Sequence, residues 1–181
     1  MLRKLGAVVL AVGLCLPYGC DVRPITGVWS GISMIAFLGI PVLLGVVYVL
    51  LVLVPPVAEA LEQRGQGIHG LLRLCYFVLA GAYLAMAITK SDNWPGPIDV
   101  AVMLVVTGAL FYWEQGRGTK AARVPLLLLM CLGVPEVAYL TGFLREGGLQ
   151  YGGIVLTAGW LVALLAETRV LAGAPRIAHG G

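Results

Sequence analysis

The length of its uncharged stretches constrains this chain more than any other feature. Charged residues are confined to short intervals, and six apolar segments run between them. They cover roughly Leu5 to Gly19, Val28 to Val54, Gly70 to Thr89, Ile98 to Trp113, Val124 to Phe143 and Gly152 to Ala166. A helix crosses the hydrocarbon of a bilayer with about 20 apolar residues, within a range of ~17 to 25. The first, fourth and sixth segments are short by that measure and the second is long, differences that tilt and kinking absorb. Only 12% of the 181 residues are charged, where soluble domains average about a quarter, and the mean hydropathy is +0.95. Lipid is therefore the expected solvent, and a helix is the element that satisfies its own backbone there. The predicted fold is an all-α integral membrane protein, a bundle of six transmembrane helices, or five if the N-terminal segment is cleaved.

Orientation follows from the basic residues. With the N-terminus in the cytoplasm, Arg3, Lys4, Arg64, Arg73, Arg117, Lys120, Arg123, Arg169 and Arg176 fall on the cytoplasmic side and Arg23, Lys90 and Arg145 on the other. Nine of the twelve basic residues on one side is a positive-inside bias, and it places both termini in the cytoplasm. Tyr18, Trp29, Trp94 and Tyr151 near outer span ends, and Tyr112 and Trp113 near an inner one, suit interfacial depth. Residues 91–97 read as a tight outer turn, with Pro97 and Asp99 in the first turn of the fourth span. The connections Pro55 to His69 and Glu114 to Arg123 read as cytoplasmic loops, with Val57 to Gln63 a candidate helical extension.

The N-terminus has two readings. Met1-Leu2-Arg3-Lys4 followed by Leu5 to Leu16 has the charged and apolar regions of a secretory signal. Leu16-Pro17-Tyr18-Gly19-Cys20 resembles the lipobox of bacterial lipoproteins, with Pro17 where that motif has Leu. The resemblance implies lipidation of Cys20. The alternative is a first transmembrane helix ending at Pro17. The chain is accordingly divided into 1–20, a first helix or signal-like segment; 21–172, the membrane-embedded bundle; and 173–181, a cytoplasmic Gly-rich tail. The other cysteines, Cys15, Cys75 and Cys131, form neither a CxxC pair nor a zinc pattern. No metal and no cofactor are expected, and no basic run with interleaved aromatics points to nucleic acid.

Two short echoes link the halves. Leu38-Gly39-Ile40-Pro41 is similar to Leu132-Gly133-Val134-Pro135, and Val78 to Leu84 is similar to Val155 to Leu161. A three-span repeat would have to be inverted, an arrangement many secondary transporters use. Independently of any repeat, Pro41 and Pro135 predict two kinked spans, because proline removes a helical hydrogen bond. Gly39 and Gly133 would allow close packing at the bends, and Gly27-x-x-x-Gly31 is a small-residue face of the kind that joins membrane helices.

Glu136 is the residue that most suggests chemistry. It follows Pro135 inside the fifth span, about a dozen residues from the cytoplasmic start and about half that from the outer end. An intramembrane carboxylate costs at least ~2.5 kcal/mol on insertion scales and marks a functional site by default. It reads either as a proton or cation site with Tyr139, Pro135 and Pro41, or as a hydrogen-bonded carboxyl joining helices. Tyr139, Thr141, Thr107, Thr157 and Trp160 are its candidate partners. Glu167 and Arg169 are expected to snorkel to the cytoplasmic interface, and Glu59, Glu62 and Glu114 to lie on solvated faces.

These features support three functional expectations. The leading one is a non-catalytic subunit or accessory protein of a membrane complex in the cell membrane, the bacterial inner membrane, with other membrane subunits and the bilayer as partners. The second is a small proton- or cation-coupled transporter or channel using Glu136. The third is an intramembrane enzyme acting on lipid or quinone, for which no catalytic motif is present.

Overall fold

The computed structural model describes residues 1–16, 40–89, 97–115, 117–146 and 151–173. Among these, every element is a helix: α1 (Leu2–Cys15), α2 (Ile40–Leu53), α3 (Pro55–Thr89), α4 (Pro97–Glu114), α5 (Lys120–Glu146) and α6 (Tyr151–Ala172). Three stretches are long and apolar enough to cross a membrane, Gly67–Ala85, Pro97–Glu114 and Tyr151–Ala172, and Val42–Leu53 is a shorter apolar helix.

α5 is the centre of the bundle. It packs against α2, α3, α4 and α6, and every residue from Arg123 to Val137 is buried. A helix that is apolar all round belongs inside other helices. Leu-Leu-Leu-Leu-Met-Cys-Leu from Leu126 to Leu132 has no polar face to offer water. Bulky apolar side chains such as Leu43, Leu74, Phe77, Val105 and Leu161 face outward on the surrounding helices, as expected for a lipid-facing shell.

The most extensive helix pair is α1 with α6, the first and last elements. Three glycines make it possible. A β-carbon at Gly6 would stand 2.7 Å from the Ala163 nitrogen, one at Gly13 2.6 Å from the Leu156 Cα, and one at Gly159 2.5 Å from the Leu10 nitrogen. Backbones meet directly there, the small-residue packing by which membrane helices associate. Residues 6, 13 and 10 pair with 163, 156 and 159, so the two helices run antiparallel.

Antiparallel pairing fixes which ends of the helices lie together. Trp160 bonds to Leu129 and Thr157 to Glu136, so the start of α5 adjoins the end of α6. Arg3, Arg117, Lys120, Arg123 and Arg169 therefore gather at one end of the bundle.

Several expectations change. The segment Pro55 to His69 is helix rather than loop, because α3 runs unbroken for 35 residues. Its two prolines occupy the first turn, where no amide donor is missed, and Ala58 to Arg64 are good helix formers. Only Val54 separates α2 from α3, and its own amide bonds to the Leu50 carbonyl at 2.8 Å. Pro41 is the second residue of the described part of α2, and the segment before it lies outside the described residues. Pro135 is interior to α5, and so is Pro125, which the sequence reading did not single out. The halves do not pack equivalently: α5 is central while α2 is peripheral among the described residues, and α1–α6 is extensive where α3–α4 is slight.

Candidate functional site

Glu136 lies 2% exposed on the central helix, one residue after a proline whose ring leaves the Cys131 carbonyl without its helical donor. Thr157 of α6 donates its hydroxyl to Glu136 Oε1. Tyr83 of α3, 1% exposed, lies within electrostatic reach of the same carboxyl. Helices α3, α5 and α6 thus each bring one polar side chain to a site closed from the surface.

Of the partners considered for Glu136, Thr157 makes the bond. Thr107 is engaged elsewhere: its hydroxyl pairs with Tyr76 Oη at 2.7 Å and donates to the Met103 carbonyl at 2.7 Å. Trp160 donates to the Leu129 carbonyl at 2.8 Å. Tyr139 lies within α5, and Pro41 within α2, but their side chains, like that of Thr141, fall outside the described residues. Cys20, Gly27, Gly31 and Gly39 also lie outside them. Gly133 faces α6, where a β-carbon would stand 2.6 Å from Trp160 Cζ2.

Below Glu136 the polar groups continue along two helices. His69, Tyr76 and Tyr83 are all buried on α3 at successive seven-residue steps, one face of the helix repeating every two turns, or ~10 Å. Thr107 and Glu114 repeat the same step on α4 and are both 0% exposed. Tyr76 joins the columns through Thr107 and stacks on Phe111 with centroids 5.3 Å apart. Cys131 adds a weak bond from α5 to the Leu72 carbonyl, 3.6 Å away.

At the basic end the column reaches Glu114. This residue is fully enclosed rather than on a solvated face, and its carboxylate stands 3.6 Å from the Arg123 guanidinium. The cause is a tight α4–α5 turn. Gly118 takes a left-handed φ of 61°, which a glycine adopts without penalty. That lets Arg123 fold back to the Arg117 carbonyl at 2.7 Å and the Gly118 carbonyl at 3.1 Å. Thr119 caps α5 by accepting from the Ala122 amide at 3.2 Å.

Glu167 also departs from expectation. It is 1% exposed, pairs with Arg3 at 2.5 Å and accepts the Tyr48 hydroxyl at 3.0 Å. The glycine-mediated approach of α1 brings Arg3 onto it, so the carboxylate is satisfied inside the bundle instead of reaching for water. Arg169 remains exposed. Sequence reasoning missed this triad because Glu167 lies 164 and 119 positions from its two partners; the local signal was a pair of glycines one heptad apart in α1.

Among the described residues, no group of three or more His, Cys, Asp or Glu side chains is arranged to hold a metal ion. Comparison with protein-family models, with curated proteins and with solved structures finds no match.

Proposed function

We propose that this protein is a small proton-coupled membrane transporter or channel in which Glu136 is the proton-carrying carboxyl. The observation that carries this reading is the enclosure of Glu136 in the central, proline-interrupted helix, with Thr157 bonded to it and Tyr83 close by. Ionisable residues inside membrane bundles cost enough that they mark ion and proton pathways. The columns from Tyr83 through Tyr76 and Thr107 to Glu114 and His69 supply exchangeable protons at ~10 Å intervals, and transfer between them requires a chain of waters to enter. The reading takes all six helices as spans in a bacterial inner membrane, with α1 retained. The end bearing Arg3, Arg117, Lys120 and Arg123 faces the cytoplasm by the positive-inside rule.

Reconstituted vesicles carrying a pH-sensitive dye test the proposal. A proton gradient should collapse through the wild-type protein and persist with Glu136→Gln, which retains an acceptor for Thr157. Equal collapse through both would remove Glu136 from the function.

A second reading, an accessory subunit of a membrane complex, has one observation in its favour. Gly70 and Gly81 lie on the outer face of α3, separated by three turns, and a β-carbon at either would meet nothing within 4 Å. Such gaps in an apolar surface accept side chains of another helix. This reading expects a partner that co-purifies in mild detergent and is lost with Gly70→Leu and Gly81→Leu. A protein that purifies alone and conducts protons would exclude it.

A further inference from the structure

His69 is 4% exposed, and its Nε2 has no hydrogen-bond partner among the described residues. Leaving a buried ring nitrogen unpaired is costly, and the surroundings point to what would satisfy it. Arg73, Arg123 and Lys120 all lie within electrostatic reach of the ring. Neither arginine is loose: the Arg73 guanidinium sits 4.6 Å over the Phe111 ring, and Arg123 is held by the Arg117 and Gly118 carbonyls. Lys120 is the first residue of α5, so the positive end of the central helix adds to the same field.

The acid in this cluster is Glu114, 3.6 Å from the Arg123 guanidinium, and neither of its carboxylate oxygens has a hydrogen-bond partner among the described residues. Among the described residues, three cations against one carboxylate leave an excess of two positive charges around an imidazole whose Nε2 is unpaired. Lys120 is exposed and Arg73 half-buried, so the cluster opens at the surface of the bundle, at its basic end.

We propose that His69, Arg73, Lys120 and Arg123 form a binding site for a phosphate-bearing anion, with His69 Nε2–H donating to a phosphate oxygen. The source that best fits a basic pocket between membrane helices is the headgroup of an anionic phospholipid; a soluble phosphate ion has the same chemistry. The site shares His69 with the proposed proton column, and its test reads stability rather than proton flux, so the two proposals can fail separately.

The test uses the full chain in nanodiscs of phosphatidylcholine alone or with increasing phosphatidylglycerol, with the melting midpoint as readout. Ligands that bind only the folded state raise it. The wild-type midpoint should rise with phosphatidylglycerol, and Lys120→Gln should need about fivefold more of it for the same rise. Arg73→Gln and His69→Phe should weaken the response as well; if either fails to fold, Lys120→Gln, at an exposed position, decides. Arg169→Gln, at the same end but on α6, should respond as wild type does. A rise with inorganic phosphate in phosphatidylcholine discs, without one for phosphatidylglycerol, would assign the site to the soluble ion. No rise with either probe overturns the proposal, and so does a response that Lys120→Gln and Arg169→Gln weaken equally.

Discussion

Gly133 lies under the indole of Trp160. A β-carbon on the glycine would stand 2.6 Å from Cζ2, and the same indole donates Nε1–H to the Leu129 carbonyl at 2.8 Å. The ring is therefore fixed at one edge by a hydrogen bond and on its face by the absence of a side chain. Gly133→Ala should cost about 1–3 kcal/mol, the usual penalty of overpacking, and should shift tryptophan fluorescence. Combined with Trp160→Leu, the two changes should cost less than their sum, because the second removes what the first collides with.

The glycines fall into two classes that a single measurement separates. Gly6, Gly13 and Gly159 each face backbone atoms of the opposite helix at 2.5 to 2.7 Å, which cannot turn aside as a side chain can. Alanine at any of them should lower the unfolding midpoint in detergent by more than at Gly133. Alanine at Gly108 or Gly81, which face open space, should leave it unchanged or raise it, since alanine is favoured over glycine in a helix by up to ~1 kcal/mol.

The bond between Thr157 and Glu136 should be modest in energy though central in position. Hydrogen bonds between membrane helices average about 0.6 kcal/mol, with a maximum near 1.7. Thr157→Val should therefore destabilise the bundle by no more than that range, read by unfolding in mixed micelles. If proton movement depends on the placement of the Glu136 carboxyl, the same variant should slow it well beyond what the loss of stability explains.

Arg3 and Glu167 should respond asymmetrically to substitution. The side chain of Glu167 is 2% exposed and that of Arg3 38%, so the two ends of the pair have different recourse to water. Glu167→Gln leaves an uncharged group still able to accept from Tyr48 and an arginine that can rehydrate. Arg3→Met leaves a carboxylate enclosed with Tyr48 as its one partner among the described residues, a strongly unfavourable state. Arg3→Met should thus be the more destabilising, in unfolding measurements at constant salt.

The proposed orientation is checked by labelling single cysteines in a chain whose own cysteines are replaced. Gln115→Cys at the basic end should react with a membrane-impermeant maleimide only after the cytoplasmic side is opened. Tyr151→Cys should react in intact cells. The reverse pattern would invert the bundle.

The helical class was legible in composition and in the spacing of charges, because apolar runs without charge have few alternatives to a bilayer. Helix positions in the second half followed from the same pattern, with α4, α5 and α6 near their expected places. The extent of α3 was not legible: Gly65 and Gly67 read as a loop, yet each costs a helix only about 1 kcal/mol, which its neighbours offset. The α1–α6 pairing was hidden because local sequence does not say which glycine faces which helix. Glu136 stood out by its isolation in an apolar run, and its partner Thr157 was one of several residues the sequence offered. Glu114 and Glu167 did not stand out, since each sits beside polar residues at a span end. Only the folding back of Arg123 and the close approach of Arg3 enclose them.

The tie between Arg3 and Glu167 spans 164 positions of the chain, and it has a consequence for how the protein is made. α1 leaves the ribosome well before α6, the surface against which its glycines fit. Until α6 arrives, that glycine face lacks the backbone it fits and Arg3 lacks the Glu167 carboxylate. Closure of the bundle is therefore a late, nonlocal event, of the kind that slows assembly. A nascent chain halted before α6 would expose this unmatched seam to quality-control proteases, while the finished protein conceals it.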